Sequence, residues 1–218
     1  MCYSFAASMS TGLGLGCIGT LLLKRAQKRN RIMIIYAFFP VVFAFHQLIE
    51  GVNWFALQHP FKGDAFFLYG YSVIAFGFWP ILIPLAAMVA EQRYFWRRIW
   101  SVCVGTGALL SAYLWVKLAL AEGIDVAVVK HSLAYKPMFK DPPDIAIGAY
   151  VVLTTMPSIL LKNKAVNIFG WFVLLGFIVS VIGSKPAWYS VWCMISAISS
   201  AVIAFAIYND NKHSLSIS

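Results

Sequence analysis

The chain has 218 residues, of which 61% are hydrophobic and only 11% charged, with a net charge of +9. So few charges cannot cover a water-soluble surface, so lipid must be the solvent for most of this chain. The positive charge falls in short stretches between apolar blocks, a membrane-topology pattern rather than the basic stripe of a nucleic-acid binder, and no nucleic-acid partner is expected.

Apolar runs of about twenty residues match a hydrocarbon core roughly 30 Å thick. They predict spans near 4–23, 32–57, 66–90, 99–121, 145–161, 166–182 and 187–208. The expected fold class is all-α, a polytopic membrane protein built as a seven-transmembrane-helix bundle, with 1–218 forming one transmembrane domain. Open strands would leave backbone groups unpaired in lipid, and the blocks lack the period-two pattern of a barrel.

The first span has no positive region before it, so it is expected to be retained with its N-terminus outside. Its Gly12 and Gly16 form a GxxxG pair, which favours close helix packing and leaves a homodimer seam as a second option. Lys24, Arg25, Lys28, Arg29 and Arg31 follow it; Arg93, Arg97 and Arg98 follow the third span, and Lys162 and Lys164 the fifth. Concentrated on one side, they set that side as cytoplasmic and place the C-terminus there too. The expected location is a cell membrane crossed several times, with membrane lipids as the first partners.

The second span carries the polar string His46-Gln47-Leu48-Ile49-Glu50-Gly51-Val52-Asn53-Trp54. His46 and Glu50 are four residues apart, and Asn53 and Trp54 extend the same face. An ionisable group there costs a few kcal/mol if turned toward lipid, so it must face the bundle or a wet cavity. With the helix rising about 1.5 Å per residue from the cytoplasm, Glu50 lies roughly 27 Å along, in the outer third. The expectation is an outward-facing polar pocket around Glu50, binding a small molecule or a proton. An interhelical clasp that only locks the bundle is its rival.

Pro40, Pro80, Pro84 and Pro157 fall inside spans, where each removes a backbone donor and bends a helix. The stretch 122–144 is the one sizeable outer loop. Pro137, Pro142 and Pro143 keep it from continuing a helix, and it is expected to fold over the outer face. The last span carries Ser190, Ser196, Ser199 and Ser200, a second small-residue face for close packing.

Cys2 falls at the same outer depth as the polar string. A thiol, an imidazole and a carboxylate are the parts of a nucleophilic relay, so Cys2, His46 and Glu50 form a candidate catalytic set, with Cys193 the alternative disulfide partner of Cys2. The cysteines have no CxxC or Cys/His spacing, and no metal is expected. The last span has no lysine for a retinal Schiff base; His59, His131 and His213 lie outside the spans, and no Walker or dinucleotide glycine motif occurs. No cofactor is named by these residues.

The opening Met1-Cys2-Tyr3-Ser4 and the segment Gln47-Leu48-Ile49-Glu50-Gly51-Val52-Asn53-Trp54 resemble an uncharacterised family of small bacterial seven-span membrane proteins. Its members look like chains that begin Met-Cys-aromatic-Ser and carry Gln-x-x-Glu-Gly-x-x-Trp, and the resemblance implies a bacterial cytoplasmic (inner) membrane as the location. The resemblance implies that Cys2, Ser4, Gln47, Glu50, Gly51 and Trp54 belong together, and that Gln can replace His46, which favours hydrogen bonding over a relay. The first functional reading is a non-enzymatic bundle for solute or proton handling, lipid binding or sensing. In it Glu50 binds or titrates, Gln47 and Asn53 support it, and Trp54 forms a wall. A membrane enzyme with Cys2 as nucleophile and an accessory subunit of a larger membrane complex are the alternatives.

Overall fold

A computed structural model describes residues 4–29, 34–183 and 185–213. Its helices are α1 (Phe5–Arg29), α2 (Ile34–Gln58), α3 (Asp64–Ala90), α4 (Tyr94–Ala119), α5 (Asp144–Ile159), α6 (Lys164–Gly183) and α7 (Trp188–His213). Five of them, α1 to α4 and α6, are long and apolar enough to cross a bilayer. α5 has only 16 residues, about 24 Å of helix. α4 starts at Tyr94, ahead of its apolar run, so that its first turns carry three aromatic rings and the two arginines Arg97 and Arg98. There Arg98 lies over the Tyr94 ring and Arg93 over that of Trp96, an arrangement suited to a water–lipid boundary.

The stretch 122–144 holds structure that its prolines did not suggest. Strands β1 (Ile124–Val129) and β2 (Ser132–Pro137) pair antiparallel, with Val129 opposite Ser132 and Ile124 opposite Pro137. The two turn residues, Lys130 and His131, both have positive φ, as a tight hairpin turn requires. β2 is buried from Ser132 to Tyr135, so the hairpin packs down on the helices. The loop expected there is a hairpin because its strand-forming residues pair locally and Pro137 comes only at the strand end.

α2 lies at the centre: 67% of its most apolar stretch is buried inside the molecule, against 22% for α4. Leu13, Phe45, Val102, Leu109, Leu175, Val179 and Ile198 stay exposed, a spread of large apolar side chains that suits acyl chains better than water. Inside, Phe43 stacks on Trp79 at 4.1 Å, and Phe39 meets both Trp79 and Phe169. The small-residue face of α1 is spent within the chain. A Cβ on Gly12 would meet the Leu48 side chain at 2.9 Å and one on Gly19 would meet Val41 at 2.6 Å, so α2 occupies that side.

α3 widens to a π-helical turn over Ile74–Phe78 just before Pro80. Along that widened turn the next donor for the Ala75 carbonyl would be the N–H that Pro80 lacks. The Tyr150 hydroxyl of α5 donates to it instead. On the same turn Trp115 Nε1 donates to the Val73 carbonyl at 2.9 Å and Ser111 Oγ to that of Gly77 at 2.6 Å. Three carbonyls of the widened turn are thus met by side chains of α4 and α5.

Candidate functional site

The polar string of α2 turns inward. His46, Gln47, Glu50 and Asn53 have no exposed surface, and Trp54 is buried beside them. Helical spacing puts His46, Glu50 and Asn53 on one side, and Gln47 one turn before Glu50. Ser190 Oγ, in the first turn of α7, donates to Glu50 Oε1 at 2.6 Å, and Gln47 Nε2 donates to Oε2 at 3.3 Å. The carboxylate therefore ties α2 to α7.

Beside it lies a stack of rings. His46 lies against Tyr71 of α3 with centroids 4.2 Å apart, and Tyr71 against Tyr135 of β2 at 4.0 Å, with planes 25° and 14° apart. Asn53 Nδ2 donates to the Tyr135 hydroxyl at 3.1 Å and, at 3.4 Å, more weakly to the Phe67 carbonyl. One helix face thus meets α3, α7 and the hairpin through polar or ring contacts, at the hairpin end of the bundle. The arrangement is closed rather than an open pocket: bonds within the chain engage Glu50, and Tyr135 is buried against Tyr71 and Asn53.

Some hydrogen-bonding capacity on this face stays unused. Neither nitrogen of His46, nor Asn53 Oδ1, nor Trp54 Nε1 has a hydrogen-bond partner among the described residues. A neutral imidazole offers one donor and one acceptor, the amide oxygen an acceptor and the indole a donor. Buried groups of this kind are ordinarily satisfied by protein, water or ligand.

Of the three candidate relay members, His46 and Glu50 make no bond to each other, since neither ring nitrogen of His46 has a hydrogen-bond partner among the described residues. Cys2, the third member, lies outside the described residues. Ser4, grouped with the site on the resemblance, accepts a bond from the Ala7 amide at 3.2 Å and so caps the start of α1. Cys193 is buried with a free thiol, three residues beyond Ser190 on α7. It lines a small interior cavity of about 30 Å³ together with Phe43, Trp79, Tyr150, Thr154 and Trp192. Among the described residues no cluster of His, Cys, Asp and Glu is placed to hold a metal ion.

The model of a family of unknown function, DUF6629, matches residues 1–216. The chain belongs to this family. No curated protein and no solved structure matches it. In this DUF6629 chain Tyr71, Tyr135 and Ser190 complete the cluster, and sequence reasoning did not assign them to it. Tyrosine and serine inside apolar runs carry no charge to mark them, and Tyr135 comes from a stretch read as a connector. The small-residue run of the last span was the one signal pointing to Ser190.

Proposed function

We propose that this DUF6629 chain is a seven-span protein of a bacterial cytoplasmic membrane, N-terminus outside and C-terminus inside. In this reading it senses or handles a small polar solute, or a proton, at the Glu50 cluster near the outer face. The basic runs after the first, third and fifth spans support the orientation, and the hairpin then lies outside. The carrying observation is a fully buried carboxylate beside unused donors and acceptors on His46, Asn53 and Trp54. Removing a carboxylate from water is expensive, and a proton or a ligand that offsets its charge is the natural reason for keeping it there. The neighbouring polar atoms have the right types to hold a small molecule with both donor and acceptor groups. Tyr135, covering the cluster from the hairpin, is the element that must move for entry.

The test is Glu50→Gln in the purified protein, reconstituted in liposomes with a pH-sensitive dye and screened in parallel against small solutes by shifts in unfolding temperature. The expected outcome is a variant with wild-type helicity and elution volume that has lost the proton or solute response. An unfolded Glu50→Gln protein makes the cluster a structural clasp, and a folded variant with an unchanged response removes Glu50 from the site.

A further inference from the structure

A second cavity lies beneath the hairpin. It measures about 470 Å³, within the roughly 300–1,000 Å³ usual for small-ligand sites. Its buried floor includes Phe76 of α3, Leu114 of α4 and Tyr135 of β2, with the half-buried Trp188 beside them. Its exposed rim carries two cations, Lys136 and Lys185, and two anions, Asp125 and Asp141. Asp125 and Lys136 are direct cross-strand neighbours. Even so, among the described residues none of the four is ion-paired with another. Exposed pairs of this kind hold each other by at most about 1 kcal/mol, so a ligand redirects them at little cost.

A rim with both signs of charge over an apolar, aromatic floor selects a ligand with both signs of charge and a carbon body. An anion alone meets two carboxylates there, and a cation alone meets two ammonium groups. We propose that this cleft binds an amine-bearing phosphate ester of the phosphoethanolamine class. Lys136 and Lys185 take the phosphate, Asp125 and Asp141 take the ammonium, and Trp188 packs on the carbon chain. The proposal rests on the hairpin lying at the outer face, where such headgroups are found. A lipid headgroup and a free ester share this chemistry.

The full-length protein is extracted in mild detergent and supplied with equal amounts of dioleoyl-phosphatidylethanolamine and dioleoyl-phosphatidylglycerol, and the retained lipids are counted by native mass spectrometry. Wild type retains the ethanolamine lipid over the glycerol lipid by about tenfold, a discrimination that charge-assisted hydrogen bonds supply. Asp125→Asn with Asp141→Asn removes the ammonium contacts and moves the preference toward the glycerol lipid. Lys136→Ala with Lys185→Ala weakens retention of both. Soluble glycerophosphoethanolamine separates the two sources: displacement of the lipid at equal concentration points to a free ester, and failure to displace it points to the lipid. All four side chains are exposed, so elution volume and unfolding temperature stay those of wild type; Lys136→Arg, which keeps the charge, keeps the preference. A wild type without preference, or a preference unchanged in the folded variants, overturns the proposal. Glu50→Gln retains the preference, so failure of the Glu50 reading and failure of this one are separate results.

Discussion

Glu91 and Arg93 join α3 to α4 through three bonds to one carboxylate. Arg93 Nη2 donates to Oε2 at 2.6 Å, while its Nε and its backbone amide donate to Oε1 at 2.9 and 3.0 Å. The side-chain bonds outweigh the burial of Glu91 and lower its pKa from the usual 4.5 to about 2. A carboxyl depressed on folding stabilises the folded state fully above its unfolded pKa, and the contribution disappears as the pH falls through the folded value. The unfolding temperature in detergent is therefore expected to fall between about pH 5 and pH 2 more steeply in wild type than in Glu91→Gln; parallel curves would remove this pair from the acid response. At this same scale the cost of a carboxylate in an apolar run made the inward turn of Glu50 legible, since any such group must leave the lipid. Its partners were not legible, because a buried serine or tyrosine adds little polarity to a run and its direction depends on which helix packs opposite.

Two glycines of α4, two residues apart, show how tightly elements meet. A Cβ on Gly107 would come within 2.0 Å of the Pro80 carbonyl oxygen, whereas one on Gly105 meets nothing within 4 Å. That carbonyl cannot bond one turn on, because the residue there is Pro84, and the missing side chain of Gly107 lets the α4 backbone close over it. Gly107→Ala must push two backbones apart and is expected to cost about 3 kcal/mol. Gly105→Ala relieves a flexible helix position and is expected to gain up to about 1 kcal/mol. Graded denaturation in detergent reads both, and equal effects would refute the close α3–α4 contact. The helices themselves were legible from apolar run length. The hairpin was not, because its prolines read as breakers while its six-residue strands offered only a weak alternation, with just one of them buried along most of its length.

Over the whole molecule, the proposed orientation predicts which surfaces meet the outside. A cysteine introduced at Lys130, in the hairpin turn, is expected to react with a membrane-impermeant maleimide on intact cells, and one at Arg97, at the start of α4, only after lysis. The reverse pattern would invert the bundle and place the Glu50 cluster at the inner face. The proposed sidedness rests on loop charge, which acts locally along the chain; the assembly of the cluster was not legible, because it is made by contacts far apart in the chain. Glu50 and its donor Ser190 are separated by 140 positions. At ribosomal speeds of about 5–20 residues per second, the acidic group leaves the ribosome roughly ten seconds before its serine is synthesised. Throughout that interval α2 needs a hydrated berth beside the insertion machinery, and the cluster reaches its finished form only as the final helix docks.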